Sequence, residues 1–473
     1  MVRKRSRVQI SSLALHFLFT NFWYQVCCVI YILNFTYMIK NILPFILTIL
    51  FASCEYEDFD DNKDVESPLA TCVDGIAKIP GTDHEYSCSN YDLMGHVSLK
   101  EMDAEAGNDC WGWTDQTTGR EYAIMGVDNG TVFIDITDPT NPVYLGKLPT
   151  ATVKSSWRDM KVYNDHVYIV SEAQDHGLQV FNLAKLRGVE SAKIFSNDFL
   201  YNQYGQAHNI AINEETGYAY TLGARTRGIH ALNLSDPLSP QLELEAPEFG
   251  YSHDAQVVIY KGPDQDYVGK EIYIGSNEDK VDIVDVTNKS EPKLISTFLY
   301  DHQYTHQSWL TTDHKYALLG DEVDEVDPSA GYELKSDAKT RTIIIDLTDL
   351  DNPKHHYDYY AETKAVDHNG YVNGTEFFLA SYTAGMRVLD VLNIDQKSIS
   401  EKGFFNTFND HHDHDHGSFN KLSKRQQDPG DHIGKKGESE AFNGAWSVYP
   451  FFKSENIIIS DINSGLFIVK KQN

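Results

Sequence analysis

Basic residues are scarce in this 473-residue sequence. It has 40 Lys and Arg against 69 Asp and Glu, which gives a net charge of -29. Binding to a phosphate backbone needs clustered Lys and Arg, so the composition argues against nucleic acid as a partner. Proline is limited to 15 residues, whereas Tyr and Phe number 28 and 23. This balance is typical of a folded, aromatic-rich chain rather than a disordered one.

Local catalytic motifs are missing as well. The sequence contains no Gly-x-Ser-x-Gly elbow, His-Glu-x-x-His pair, Walker loop, dinucleotide fingerprint or Cys-x-x-Cys pair. Each of these motifs carries a definite chemistry, and without one the sequence gives no basis for naming a reaction. An enzyme is not excluded by this, because an active site can be assembled from distant segments.

Acidic residues are absent before Glu55, and the first part of the chain has the features of an export signal. Residues 1–53 are interpreted as a leader. Within it, residues 1–37 are either a transmembrane anchor or untranslated sequence before a start at Met38, and the second interpretation is favoured. Leu50–Cys54 resembles a lipobox, so Cys54 is the expected lipidation site. Residues 54–70 form an acidic tether. We therefore expect an exported protein, anchored by lipid to the outer membrane or cell surface of a Gram-negative-type bacterium.

Only six cysteines are present, and three of them precede the tether. Cys72 and Cys88 bracket a short loop that contains Gly and Pro. In an oxidising envelope these two are expected to form a disulfide, which would stabilise the loop by roughly 3 kcal/mol. Cys110 is left over and is expected to be a buried apolar residue.

A short apolar run recurs seven times from residue 113 to the C-terminus. Each copy is rich in β-branched and aromatic residues and is bounded by turns, which predicts a strand. A Gly precedes most copies and is expected to adopt a positive φ. The seven runs are GTVFIDI (130–136), GLQVFNL (177–183), GIHALNL (228–234), KVDIVDV (280–286), RTIIIDL (341–347), GMRVLDV (385–391) and GLFIVKK (465–471).

Two runs precede each copy and one follows most of them, and four strands per unit predict an all-β, seven-bladed β-propeller over residues 71–473. The last unit ends after its third strand, so residues 91–102 are expected to pair with it and close the ring. Two insertions interrupt the units. The acidic DEVDEVD segment (321–327) is expected to be solvated, and the His-rich insertion at 409–441 is expected to bind metal only adventitiously.

The repeats resemble those of the choice-of-anchor B family, whose units are similar to LVIVD repeats. The resemblance is carried by WGWTDQTTGREYAIMG with VFIDITDPTNPVYLGKLP, and by AHNIAINEETGYAY, YSHDAQVVIYKGPD, YTHQSWLTTD and GAWSVYPFF with GLFIV. It covers roughly residues 70–473. The resemblance implies a propeller-like extracellular module with varied anchors, and it implies no particular reaction.

The residues that open the units are expected to meet at one mouth of the central channel, because innermost strands of a propeller share an axis. A second polar layer is expected just below them. The predicted site comprises Trp113, Trp157, Arg158, Asp159, His208, Asn209, His253, Asp254, His306, Gln307, His368, Asn369 and Trp446.

Three interpretations of this ring are open. The side chains could plug the channel and satisfy the strands, or they could bind a protein, glycan or small polar ligand. Alternatively, His208, His253, His306 and His368 could bind a divalent metal, the one cofactor considered. The favoured function is a monomeric, lipid-anchored binding module, and the alternative is a metal-dependent hydrolase or lyase.

Overall fold

Short apolar runs form almost every strand of this all-β protein. The computed structural model describes residues 67–224, 228–408 and 439–472, all within one unit of the chain, Glu66–Asn473. Antiparallel sheets of four or more strands follow one another along the chain, and each begins with its innermost strand. The seven predicted third-strand runs all lie in strands, because β-branched and aromatic residues suit a buried pleated surface.

The first three sheets are blades, a term kept here for sheets of four or five strands. Blade 1 has the order β12-β8-β7-β6-β5, and the short strand β12 joins its outer edge in parallel to β8. Blade 2 has the order β13-β11-β10-β9, and blade 3 runs from β14 to β17. The strands are β5 Gly107–Thr114, β6 Glu121–Val127, β7 Gly130–Asp135, β8 Val143–Pro149, β9 Arg158–Tyr163, β10 His166–Ser171, β11 Leu178–Asn182, β12 Lys193–Ile194, β13 Phe199–Tyr201, β14 Asn209–Asn213, β15 Tyr218–Leu222, β16 Ile229–Asn233 and β17 Gln241–Ala246.

Blades 4 and 5 continue the same order, and a two-stranded hairpin of β24 and β25 is inserted in blade 5. Blade 6 contains the last three strands of the chain and β4. The strands are β4 Tyr91–Val97, β18 Asp254–Ile259, β19 Glu271–Ser276, β20 Val281–Asp285, β21 Lys293–Phe298, β22 Thr305–Leu310, β23 Tyr316–Asp321, β24 Val326–Asp327, β25 Glu333–Leu334, β26 Arg341–Asp346, β27 Lys354–Tyr360, β32 Ala445–Tyr449, β33 Asn456–Asp461 and β34 Gly465–Lys471.

One more large sheet lies between blades 5 and 6, and we call it the composite sheet. Its order is β1-β2-β3-β31-β30-β29-β28, and β28 contacts both β22 and β32. The strands are β1 Cys72–Val73, β2 Ile76–Lys78, β3 Glu85–Ser89, β28 Gly370–Asn373, β29 Glu376–Ala380, β30 Met386–Asp390 and β31 Ser400–Phe405.

The prediction of a seven-bladed propeller is wrong in its blade count. The described residues form six blades of four or five strands, whereas the composite sheet has seven strands. Its inner part follows the order of a blade, but the N-terminal strands extend it outward where Cys88 pairs with Phe405. The physical reason is that a short, isolated hairpin is barely stable, so it adds to the open edge of β31.

The N-terminal segment closes the ring of sheets, as the sequence predicts. Strand β4 pairs antiparallel with β34, with Val97 opposite Leu466 and Tyr91 opposite Lys471. The pairing covers the outer edge that the final strand would otherwise leave open. The predicted disulfide between Cys72 and Cys88 is present and ties β1 to β3.

The hydrophobic core lies between neighbouring sheets. Ile124 and Phe133 of blade 1 pack against Val167 and Phe181 of blade 2, and the two Phe rings stack with centroids 4.9 Å apart. Middle strands are covered on both faces, as in β6 and β7, where every residue is buried, which is why these runs are apolar rather than alternating. Cys110 is fully buried in such a core, as expected.

Glycines precede third strands for more than one reason. Gly177 and Gly465 adopt the expected positive φ, at 69° and 101°. Gly130 does not, so the expectation is wrong there. A Cβ on Gly130 would lie 2.4 Å from the carbonyl oxygen of Leu148, and one on Gly177 would lie 2.2 Å from that of Tyr201. Close approach of the neighbouring strand therefore requires glycine at both positions.

The helical content is small. The described residues form five short 3-10 helices, Leu183–Leu186, Pro247–Phe249, Pro328–Ala330, Ile394–Gln396 and Glu440–Phe442. In the same part of the chain no helix is both long and apolar enough to cross a membrane. The predicted leader, the lipidation site Cys54 and most of the His-rich insertion lie outside the described residues.

Candidate functional site

Four histidines and one tryptophan form a continuous row of rings at one end of the inner strands. Ring centroids are 4.2 Å apart between His208 and His253, 4.4 Å between His253 and His306, and 4.3 Å between His306 and His368. Trp446 continues the row, 4.5 Å from His368. We call these five residues the imidazole arc. They come from blades 3, 4, 5, the composite sheet and blade 6, so residues over two hundred positions apart share one surface.

Two members of the arc are placed by β-bulges. The register shifts between Thr305 and Gln307 and again between Ala445 and Ser447, so His306 and Trp446 are extra residues in their strands. A bulge turns its extra residue out of the regular alternation of the strand. In this protein, that turn directs the side chain to the arc.

Half-exposed side chains lie around the arc and define a rim. Trp157 packs against the cluster that contains Trp446, and the ring of Tyr304 lies 5.3 Å from that of His253. Glu172 accepts a hydrogen bond from His208 Nδ1 at 2.6 Å. The rim therefore combines aromatic surface with negative charge above nearly buried imidazoles.

Two predicted site residues lie elsewhere. Trp113 stacks on Tyr122 at 5.0 Å and donates to Asp165 through its indole nitrogen, within the core between blades 1 and 2. Its place in the predicted ring is corrected: the inner strand of blade 1 begins six residues earlier, at Gly107, and its bulge lies at 108–109. Trp113 therefore lies at the end of β5 that is away from the mouth, whereas the sequence prediction placed it at the start of the strand.

Arg158 is buried and is also absent from the arc. Its Nη1 lies 2.9 Å from His176 Nε2, and its Nε donates to the carbonyl of Val127. Burial lowers the pKa of Arg158 to about 10, and burial together with the neighbouring guanidinium lowers the pKa of His176 to about 3. His176 is therefore neutral and accepts a hydrogen bond from Arg158, which serves packing between sheets.

Directly after the arc positions, a second set of side chains forms a network that we call the polar layer. Gln307 donates to Asp254 at 3.0 Å, and Asn369 lies 3.3 Å from Asp109. The layer crosses from the composite sheet to blade 1, 260 residues apart in the sequence. Its members are Asp109, Asp159, Asn209, Asp254, Gln307, Asn369 and Ser447.

Several members of the polar layer satisfy the edges of inner strands. Asp159 accepts from the backbone N–H of Ile210 at 2.9 Å, and Gln307 accepts from that of Gly370 at 2.6 Å. An innermost strand has no neighbour on its channel side, so its amides would otherwise be buried without an acceptor. The polar layer therefore holds each sheet to the next.

Lys161 supplies the positive charge of the polar layer. Its Nζ lies 2.6 Å from Asp159 and 3.9 Å from Asp109, and 4.6 Å from the centroid of the Trp111 ring. Burial raises the pKa of Asp254 to about 6 and that of Asp109 well above its usual range, and the charge of Asp159 adds to both shifts. Burial opposes the charged form of Lys161, but Asp159 and Asp109 outweigh it and raise its pKa.

The acidic insertion contributes to the site, contrary to the expectation that it is solvated. Asp321 and Glu322 are buried, and Asp321 accepts from the backbone of Tyr304 at 2.6 Å. Glu322 accepts a hydrogen bond from the Tyr382 hydroxyl at 2.7 Å. Its carboxylate lies 3.7 Å from His306 Nε2 and 3.9 Å from His368 Nε2.

Glu172 and Glu322 were missed in the sequence, although antiparallel pairing gives a rule that finds them. Each directly follows the second strand of its blade, and that strand ends beside the start of the first one. Accordingly, the amide of Glu172 bonds to the carbonyl of Trp157, and that of Glu322 bonds to the carbonyl of Tyr304. Pairing with the first strand thus delivers Glu172 and Glu322 to the same mouth.

Of the four histidines predicted to bind a metal, only His306 and His368 belong to a group of donor atoms close enough to share an ion in the described residues. His208 Nδ1 is hydrogen-bonded to Glu172, and His253 Nδ1 donates to the carbonyl of His306 at 3.1 Å. Burial opposes the protonation of His208, but the hydrogen bond and charge of Glu172 outweigh it and raise its pKa. Among the described residues, donor atoms close enough to share an ion are found in His306, Glu322 and His368 and in the partly exposed Asp264, Asp349 and Asp351.

Comparisons with known proteins support the repeat and leave the activity open. The LVIVD repeat model matches residues 121–150, in blade 1, and 268–299, in blade 4. The comparison with curated proteins gives no match. Among solved structures, the chain is similar to the β-propeller domain of Cps50 (Swd1) from Myceliophteria thermophila, at 6% identity and a TM-score of 0.49, over 81% of this chain and 100% of that one. A likeness of this size carries no information about function. The sheet topology and the repeat match together identify the chain as an all-β propeller that contains LVIVD repeats.

Proposed function

We propose that this protein is a lipid-anchored binding module that captures a polar extracellular ligand at the mouth formed by the imidazole arc. The continuous row of rings from His208 to Trp446 carries the proposal. Interiors of small propellers are filled by packing, and apolar residues suffice for that purpose. A mouth built from imidazole, indole and carboxylate groups instead offers stacking surface together with hydrogen-bonding atoms.

The charge around the mouth favours a ligand that donates hydrogen bonds or carries an amine. Burial raises the pKa of the Tyr304 hydroxyl well above its usual range, and Tyr251 and the charges of Glu278, Glu322 and Glu172 add to the shift. Carboxylates only accept hydrogen bonds when ionised. A glycan or a peptide with basic side chains matches this surface better than an anion does.

The resemblance to the choice-of-anchor B family and the lipobox support display at a membrane surface. In this proposal Cys54 carries the lipid, residues 54–70 form a tether, and the propeller faces outward as a monomer. The pairing of β4 with β34 covers the outer edge of the last strand and suits such a role, since exposed strand edges promote unwanted association.

Binding at the mouth is tested with glycan and peptide arrays. We expect wild-type protein to select a small set of ligands, and the double variant Trp157→Ala/Tyr304→Ala to lose at least ten-fold in affinity for them. Trp113→Phe is the matched control because it alters an indole in the core between blades 1 and 2. Equal affinity in the double variant would place the ligand elsewhere on the surface.

The anchor is tested separately in cells. We expect the wild-type chain to incorporate labelled palmitate and to sediment with membranes, and Cys54→Ser to lose both properties. Cys110→Ser serves as the control, since Cys110 is buried in the propeller. Unchanged labelling of Cys54→Ser would disprove the lipid anchor and would leave the binding experiment unaffected.

A further inference from the structure

Two histidines of the arc and the buried glutamate of the acidic insertion form a donor set for a metal ion. We propose that His306, Glu322 and His368 bind one divalent transition-metal ion of the Zn²⁺ type. Their ligand atoms all lie within 4.8 Å of one another, and all three side chains are buried. The inference is independent of the proposed ligand-binding function, because the metal is measured alone.

The separations suit an ion. Zn²⁺ lies about 2.0–2.2 Å from imidazole nitrogen and carboxylate oxygen, so two donors on one ion are about 3–4 Å apart. Glu322 Oε2 lies 3.7 Å from His306 Nε2, and the other oxygen, Oε1, lies 3.9 Å from His368 Nε2. These distances are longer than hydrogen bonds and fall within the range for shared coordination.

Neighbouring groups orient the donors. His368 Nδ1 lies 2.6 Å from the carbonyl oxygen of Trp446, and a carbonyl can only accept, so Nδ1 carries the proton. In the neutral ring Nε2, which lies on the side of Glu322, is then the atom that can bind a metal ion. This is the usual way in which an outer hydrogen bond fixes a metal-binding histidine.

The carboxylate is oriented in the same manner. The hydroxyl of Tyr382 donates to Glu322 Oε1 at 2.7 Å. Glu322 is therefore held from one side while it faces the two imidazoles. Outer-shell partners of this kind typically improve metal affinity by ten-fold or more.

The composition of the donor set indicates which metals fit. Two imidazole nitrogens and one carboxylate oxygen suit Zn²⁺ or Fe²⁺ rather than Ca²⁺ or Mg²⁺, which prefer oxygen donors. Three protein donors leave coordination positions open for water or a ligand oxygen. His208 and His253 are outside the set, since the donor atoms that lie within 4.8 Å of one another belong to His306, Glu322 and His368.

Zinc titration by calorimetry tests the site in the full-length chain, purified without a histidine tag and stripped with a chelator. We expect one high-affinity equivalent of Zn²⁺ in the wild type and a loss of at least ten-fold in affinity for Glu322→Gln, which keeps the size of the side chain and an acceptor for Tyr382. His355→Asn is the matched control and should retain the wild-type affinity, because it removes an exposed imidazole of blade 5 that lies outside both the arc and the donor set.

The His-rich insertion needs its own control. A variant with His411, His412, His414 and His416 changed to Asn should keep the high-affinity equivalent. Loss of that equivalent in the insertion variant, or its survival at full affinity in Glu322→Gln, would overturn the proposal, as would the absence of tight Zn²⁺ binding in the wild type. Should Glu322→Gln fail to fold, His306→Gln provides the same test, and the rise in Tm with added Zn²⁺ provides a second measurement.

Discussion

The imidazole arc and the polar layer differ in purpose although their residues are neighbours in the sequence. His306 and Gln307 are consecutive, yet Gln307 bonds to the backbone of the composite sheet, whereas the ring of His306 faces other rings and Glu322. The same division holds for His253 and Asp254. Adjacent repeated positions therefore serve the fold in one layer and offer chemistry in the other.

The difference follows from what each layer must satisfy. The polar layer lies beside inner strands whose amides lack a strand partner. Its side chains therefore accept hydrogen bonds from these amides and are not available to a ligand. The arc lies before or at the start of these strands, where fewer backbone groups need acceptors. A substitution in the polar layer should thus reduce stability, and one in the arc should chiefly alter binding.

The largest effect is expected for Lys161→Met. The substitution leaves Asp159 and Asp109 buried without their positive neighbour, and breaking a buried ion pair costs about 3–5 kcal/mol. Urea unfolding measures the free energy directly. Lys293→Met is the control, because Lys293 is exposed and should change stability by less than about 0.5 kcal/mol. Similar small losses in both variants would show that the polar layer is not held by Lys161.

The next largest effect concerns pH. Burial raises the pKa of Asp254 to about 6, so the folded state holds this proton more tightly than the unfolded state does. Stability from this group is greatest at low pH and falls as pH rises from about 4 to about 6, by about 3 kcal/mol at most. Asp254→Asn should lose that part of the slope, measured by urea unfolding at several pH values.

Two charged neighbours also affect the pKa of Asp254 and therefore have to be the same in the wild type and the variant. Lys161 lowers its pKa and Asp159 raises it, and both remain in the variant. Because other buried carboxylates such as Asp324 also titrate in this range, the difference between wild type and variant is the relevant quantity. A difference that is constant from pH 4 to pH 7 would contradict the raised pKa.

A smaller effect is expected for Gln307→Met. The substitution removes the acceptor of the Gly370 amide and the donor to Asp254, and an unsatisfied buried amide costs about 1–3 kcal/mol. Thermal unfolding should register the loss, and Zn²⁺ affinity should change little. A strong loss of Zn²⁺ binding with unchanged stability would show that Gln307 serves metal binding rather than the fold, which contradicts the division between the two layers.

The smallest effect on stability is expected for His253→Phe. The ring keeps its stacking against His208 and His306, and the hydrogen bond to the carbonyl of His306 is lost, worth about 1 kcal/mol. Thermal unfolding again measures the change. A loss as large as that of Gln307→Met would mean that the arc is also structural.

Much of the fold was predictable because it depends on local pattern. The third-strand runs, the closing pair of β4 and β34 and the disulfide all followed from apolar runs, turn residues and an unpaired last strand. The composite sheet was not predictable, since no pattern in the hairpin of β1 to β3 states which open edge it will join. Trp113 was misplaced because an aromatic motif marks a strand without fixing which end faces the mouth.

Sequence alone determined that the chain repeats short strands and that histidines recur before the inner ones, because strand period and turn residues are local properties. Only the tertiary structure decided which side chains meet. The bulges at His306 and Trp446, the insertion that delivers Glu322, and the burial that raises the pKa of Asp254 all depend on contacts between sheets. Such contacts join residues far apart in the chain, and local pattern carries no information about them.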